Sequence, residues 1–337
     1  MKALVLHKPG HASIETVPEP VATPGKVLLK VRMVGMCGSD LNSFRGLNPL
    51  VTFPRILGHE VSATVLDDDG HGGNISIGTD VAISPYTNCG ECSSCLAGRS
   101  NACRFNETLG VQRDGALTEL IVMPHERLYP AKLTTKEFCL VEPLTVGFHA
   151  VVRGRVTAND TVAIFGCGGV GLGAVAAARS RGACTICVDV EDEKLELAKL
   201  AGATHGINCI RESLHERLLD ITNGYGPQVI IEAVGTPATF RAAVEEVSFC
   251  GRVVYIGYAK EPVSYETRLF VQKELDILGS RNAQREDFQA VIKFLEAKRF
   301  PVGEAVSLVV PFLEAPDALR SWSENPSKFR KILISVA

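Results

Sequence analysis

Apolar positions in the first 145 residues come in short runs and alternations. "KALVLH" (2–7), "VLLKVRMVGM" (27–36), "VSATVL" (61–66), "TDVAIS" (79–84) and "ALTELIVM" (116–123) are the clearest. Glycine and proline separate them, which predicts strands of an irregular barrel joined by turns. No strong helical period precedes the segment near 138–153. From about residue 150 strand-like runs alternate with helix-like ones. "TVAIF" (161–165) leads into a glycine turn and the small-residue helix "GLGAVAAARSRG". "CTICVDV" (184–190) precedes a helix over 191–203, and "QVIIEAVG" (228–235) precedes the helix "ATFRAAVEEVSFCG". "RVVYIGYA" (252–259), "LDILGSR" (275–281) and the short "HGIN" (205–208) complete six strands. Strands alternating with helices predict a parallel, doubly wound sheet.

A helix over 286–299 follows, then the strand-like "VSLVV" and "KILISVA". The six-stranded unit is complete by about residue 281, so the tail is expected to return to the first domain. The expected division is 1–145 with 282–337, and 146–281. No internal repeat or low-complexity linker interrupts it. The length, 337 residues, suits two domains of about 150 residues each.

Composition adds exclusions. The chain is 46% hydrophobic and 22% charged with a net charge of −3, so it carries no basic footprint for nucleic acid. No apolar run is long enough to predict a membrane span, and the start "MKALVLHKPGH" lacks a signal-peptide core. A soluble cytoplasmic protein is expected. Its 11 cysteines would then be reduced, so clustered ones point to metal or chemistry.

"GCGGVG" (166–171) fits G-x-G-x-x-G and lies between an apolar strand and a helix, the context that gives the pattern meaning. Gly166 permits the tight turn, Gly168 admits a pyrophosphate, and Gly171 allows close packing; Gly169 and Val170 complete the loop. The helix N-terminus offers free N–H groups to phosphates. Asp189, 23 residues after Gly166, would accept the ribose hydroxyls and repel a 2′-phosphate, favouring NAD over NADP. Val234 and Gly257, at the ends of later strands, are expected at the same cofactor.

"CGECSSCLAGRSNAC" places Cys89, Cys92, Cys95 and Cys103 at C-x2-C-x2-C-x7-C. Four thiolates with no open position suit a closed, structural zinc over 89–103. An iron–sulfur cluster is the rival, but the last spacing and the lack of a following proline do not fit the ferredoxin run. "CTIC" (184–187) has no partner pair and is expected to be strand packing. Cys139, Cys167, Cys209 and Cys250 are expected as small apolar fillers.

A second ligand set is scattered. "MCGSD" holds Cys37, "GHE" holds His59 and Glu60, and "LVEPL" holds Glu142. A histidine and glutamate in an apolar stretch are more often a core pair. Cysteine, histidine and carboxylate together suit zinc with a position left for water or substrate. Asp40 is the candidate acceptor for the other nitrogen of His59.

Taken in order, Cys37 with "GSD", "GHE", the four-cysteine lobe, "EPLTVGFHA" and "GCGGVG" resemble the zinc-dependent medium-chain dehydrogenases over essentially the whole chain. Glutamate in "VEPL" resembles the polyol branch: sorbitol, threonine and sugar-acid dehydrogenases. "GSRNA" (279–283) resembles the subgroup acting on aldonates such as L-gulonate or L-galactonate. The resemblance implies a GroES-like barrel around a Rossmann domain, NAD, and two zinc ions per chain. It implies Cys37, His59 and Glu60 or Glu142 as catalytic zinc ligands, the two glutamates able to exchange. It places Ser39 at the start of a proton relay. Relatives often carry a histidine five residues after the first cysteine; here it is Asn42, which cannot titrate, so the late relay must differ. It also implies a homodimer or homotetramer.

The expected reaction passes hydride from a secondary alcohol carbon to NAD. Arg281 is a candidate for a substrate carboxylate, against an ion pair with Glu142 or a surface carboxylate. Asn42, Arg45, Tyr86 and Asn282 are candidate pocket groups. Rivals are a threonine or sugar-alcohol-phosphate dehydrogenase of the same fold, and a non-catalytic NAD-binding sensor with structural zinc only. The edge of the parallel sheet near "RVVYIGYA" is the expected pairing surface.

Overall fold

The structure is a computed structural model and describes residues 1–67 and 75–336. The chain forms two compact units. One comprises Met1–Glu142, Ile292–Lys298 and Val302–Ala337; the other comprises Pro143–Val291 and Arg299–Pro301. The first two boundaries, 142/143 and 291/292, fall inside helices, Thr135–Arg153 and Arg285–Glu296. A break in composition or strand rhythm could not mark them, and they differ from the expected 145/146 and 281/282.

The strand Lys26–Gly35 is the spine of the first unit. It pairs antiparallel with Glu60–Asp67, Leu120–Pro124 and the C-terminal strand Ile332–Ser335 within a seven-stranded sheet. Its alternation puts Val27, Leu29 and Val31 inward with Leu6, Val61, Leu117, Trp322 and Ile332. The alternation stops at Met33–Met36, where every residue is buried as the chain approaches Cys37. A smaller sheet joins Lys2–Lys8 to His11–Thr16 and Arg55–Ile56. The helix Gly38–Phe44 has only seven residues, too short for a period to announce it.

The second unit holds six parallel strands: β1 (Thr161–Phe165), β2 (Cys184–Asp189), β3 (His205–Asn208), β4 (Val229–Glu232), β5 (Arg252–Tyr255) and β6 (Asp276–Gly279). Their order is 3-2-1-4-5-6, the doubly wound order of dinucleotide-binding sheets. Ala163, Ile186, Ile207, Ile230 and Val253 form its apolar centre.

One expectation is corrected. The edge is not at "RVVYIGYA": β5 is paired on both sides, with β4 and β6. The edges are β3 and β6, and Asp276, Ile277 and Gly279 of β6 are exposed. Position in a parallel sheet follows crossover direction, which strand sequence does not encode.

Candidate metal centres and cofactor turn

Two paired strands bring the scattered ligands together. Gly35 lies opposite Glu60 in the register, so Cys37, two residues past the first, and His59, one before the second, share one end of the sheet. One ligand atom each from Cys37, His59 and Glu60 lie within 4.8 Å of one another. Glycine shapes this corner. Gly58 has φ +94°, and a Cβ there would come within 2.8 Å of Val34 Cγ1, so only glycine turns the chain into His59. A Cβ on Gly35 would lie 2.1 Å from Glu60 Oε2.

Glu60 is fully buried and accepts from Lys331 Nζ at 2.7 Å on each oxygen. Burial works against the charge of Lys331, but Glu60, Cys37 and Glu142 outweigh it and hold its pKa above the ordinary lysine range. Burial likewise opposes a charged His59, yet Cys37, Asp40 and Glu142 push it well above the ordinary histidine range. Glu142 lies outside the three-residue group, and its Oε1 accepts from the buried Tyr86 hydroxyl. Burial and the facing Glu142 raise Tyr86 well above the ordinary phenol range, so it keeps its proton and donates. Burial, with Glu60 nearby, also raises Glu142.

Asp40 does not serve His59 as expected. Its Oδ2 accepts from Cys37 N at 2.8 Å and its Oδ1 from Gly58 N at 3.2 Å. It joins the backbones that carry two ligands, while His59 Nδ1 is buried with no partner among the described residues. An N3 acid reaching back to its N-cap is a local helix-start device; its second bond is tertiary. Ser39 Oγ, on the same first turn, is buried and also without a partner. Asn42 is half-buried. Arg45 is no pocket group: its guanidinium bonds Ser323 Oγ and the Ser323 carbonyl.

The donor set fits a divalent ion. Thiol, imidazole and carboxylate are the types zinc takes, and buried anionic groups surround them. In the lobe, Cys89, Cys92, Cys95 and Cys103 also meet within 4.8 Å. Cys103 Sγ lies 3.7 Å from Cys89 Sγ and 3.8 Å from Cys92 Sγ. Backbone N–H groups of Cys92 and Phe105 point at sulfurs at 3.3 Å. The Ser94 hydroxyl and two backbone N–H groups push Cys92 down to about 5, while burial and its sulfur neighbours push Cys95 up to about 11. Four sulfurs this close suit a single ion held between them. The x2 spacings made this site legible. Cys139 and Cys167 are buried as expected, but Cys209 and Cys250 are exposed, on turns outside the strands.

The glycine turn behaves as its pattern implies. Gly166 has φ +90°. A Cβ on Gly171 would lie 1.8 Å from Gly166 O, so the helix Gly169–Ser180 packs onto its own turn. A Cβ on Gly168, the N-cap, would meet nothing within 4 Å, which leaves that backbone open to a phosphate. Asp189, at the end of β2, accepts from Cys167 N at 2.8 Å and from Val190 N and Glu191 N. It fixes the turn. Lys194 comes to 4.0 Å of Asp189 but is paired with Glu191 at 2.7 Å. Arg281 and Asn282 follow β6, Asn282 with φ +53°.

Sequence reasoning missed two buried groups. Lys331 has no local signal. Glu232, at the end of β4, holds the turn carrying Val234: its Oε1 accepts from Val234 N, Gly235 N and Thr239 Oγ1. A Cβ on Gly257 would lie 2.6 Å from its Oε2. "IIEAVG" gave a visible acid at a strand end, the signal that was available.

Comparison with known proteins bears on these sites together. Residues 23–133 match the alcohol dehydrogenase GroES-like domain, and residues 169–297 match the zinc-binding dehydrogenase family. Sorbitol dehydrogenase of Bacillus subtilis is 37% identical over 287 residues, covering 83% of this chain and 81% of its own. L-galactonate-5-dehydrogenase of Escherichia coli is 28% identical over 313 residues, covering 93% and 92%. The crystal structure of RspB from E. coli CFT073, complexed with the cofactor NADH, superposes with a TM-score of 0.92 at 29% identity, covering 100% of this chain and 99% of that one. With two metal-competent clusters and a dinucleotide turn on one chain, this protein belongs to the zinc-containing, NAD-dependent medium-chain alcohol dehydrogenases, in their polyol branch.

Proposed function

We propose that this enzyme oxidises a secondary hydroxyl of a sugar acid or related polyol to the ketone, with NAD as acceptor. The observation that carries the reading is the meeting of Cys37, His59 and Glu60 within 4.8 Å, on the turn where Ser39 Oγ is buried and, among the described residues, unpartnered. Bound zinc supplies Lewis acidity to a substrate hydroxyl, and bound NAD supplies the hydride acceptor. Cys37, His59 and Glu60 hold the catalytic ion, and Cys89, Cys92, Cys95 and Cys103 hold the structural one. Ser39 Oγ accepts a hydrogen bond from the substrate hydroxyl and relays its proton outward, releasing its own hydroxyl proton to water as it takes the substrate's. Tyr86 holds Glu142 beside the ligands, as the reserve carboxylate. Asp40 positions Cys37 and Gly58. Gly166, Gly168 and Gly171 cradle the pyrophosphate, and Asp189, beside Glu191 and Asp192, favours NAD over NADP.

Arg281 and Asn42 contact the substrate, Arg281 at a carboxylate. The resemblance of "GSRNA" to aldonate enzymes and the likeness to L-galactonate-5-dehydrogenase favour a sugar acid. Self-association uses the exposed edge strand β6. Among the described residues no helix is long and apolar enough to cross a membrane.

The test is NAD reduction across aldonates, polyols, polyol phosphates and threonine, with zinc counted per chain. Turnover of an aldonate and two zinc ions are expected. Turnover of threonine alone would overturn the substrate class, and one zinc ion would overturn the catalytic centre.

A further inference from the structure

Glu60 is gripped by a residue 271 positions away. Lys331 immediately precedes the strand Ile332–Ser335, in which Leu333 pairs with Gly35. The strand that leads to Cys37 is therefore bordered by the segment that delivers the lysine. Lys331 Nζ lies 2.7 Å from Glu60 Oε1 and 2.7 Å from Oε2, and it donates to Met36 O at 3.2 Å. All three ammonium donors are thereby used. Equal distances place the ammonium astride the carboxylate, on the side between its two oxygens. An ion chelated by both oxygens would need that same side. Oε2 is restricted again, because it packs against Gly35 so closely that a Cβ there would lie 2.1 Å away.

We propose that Lys331 is a positioning residue that confines Glu60 to one-oxygen coordination of the catalytic metal, through Oε1. The inference rests on Glu60 being a ligand. Three single-atom donors, from Cys37, His59 and Glu60, leave zinc a fourth position for a substrate hydroxyl. A chelating Glu60 would fill that position. Lys331 thus guards the open position without touching substrate. Charge balance alone would also place a cation beside a buried carboxylate, so the test must read coordination rather than stability.

The experiment uses the full-length protein with Co2+ in place of zinc at this site and zinc kept on the four cysteines. Visible d–d bands of four-coordinate cobalt are stronger than those of five-coordinate cobalt. Lys331→Met is expected to lose band intensity and raise KM for the alcohol. Lys331→Arg, whose fork also spans both oxygens, is expected to restore the parental bands. Parental bands in folded Lys331→Met overturn the proposal. If Lys331→Met does not fold, the pair Glu60→Gln and Lys331→Met/Glu60→Gln decides, because neither leaves a buried carboxylate unpaired. Identical spectra support action through Glu60, and differing spectra overturn it. Should Glu60→Gln itself keep the parental bands, the ligand assignment fails first.

Discussion

Asp40→Asn isolates the link between two ligand-bearing turns. The Asp40 carboxylate is almost wholly buried, at 1% exposure, and accepts two backbone N–H groups, one per oxygen. Asparagine has one accepting oxygen. It keeps the shorter bond to Cys37 N and turns its NH2 toward Gly58 N, which loses its acceptor. A buried unpaired N–H costs about 1–3 kcal/mol. Burial holds the Asp40 carboxyl above the ordinary aspartate range, so removing its charge recovers part of that cost. The expected loss is therefore near the low end, about 1–2 kcal/mol. At about 2–4 °C per kcal/mol for a unit of this size, Tm falls by roughly 2–8 °C. The larger effect falls on the metal, because Gly58 carries His59: partners one shell out from a metal typically govern affinity by about 10–100-fold. Calorimetry and zinc retention against a graded chelator measure both quantities. One zinc ion should leave early while the four-cysteine ion stays. Unchanged retention of both ions and an unchanged Tm would show that Asp40 does not hold the two turns.

Asp189→Asn should weaken NAD and raise the kcat/KM ratio of NADP to NAD, since a 2′-phosphate then meets one carboxylate fewer; steady-state kinetics with both cofactors checks it. Cys103→Ser should remove one zinc per chain and make residues 89–103 the first site cut by protease, read by metal analysis and timed digestion. Glu137 is paired with Lys298 at 2.7 Å. Burial opposes its charge, but Lys298 and Thr134 prevail and lower its pKa below 4.5. A depressed folded-state pKa means stability present above the unfolded value and lost as pH falls through the folded one. Acid unfolding of Glu137→Gln should thus show a smaller change below about pH 4.5 than the parent, and lower stability at pH 7.

Legibility followed distance along the chain. The four lobe cysteines lie within 15 residues, and their spacing alone names a closed site. β1 matches its apolar run residue for residue, because a buried central parallel strand needs continuous hydrophobicity. The helix Gly38–Phe44 and the edge position of β6 were not legible, the first for its length and the second because crossovers set strand order. Arg45 was a candidate pocket group as a polar residue, yet Ser323 takes its guanidinium.

By itself the sequence determined which chemistries are present: thiolates, an imidazole, carboxylates and a phosphate-accepting turn, in an order that belongs to one enzyme family. Residue type and short spacing carry that information, because they depend only on covalent reach and strand or helix period. Tertiary structure alone decided how those groups are used. It placed Glu60 with Cys37 and His59, drew Glu142 to Tyr86, spent Asp40 on two backbone N–H groups, and brought Lys331 from the far end of the chain onto Glu60. The physical reason is that a buried charge must find a partner in space, and sheet register, rather than neighbouring sequence, supplies it.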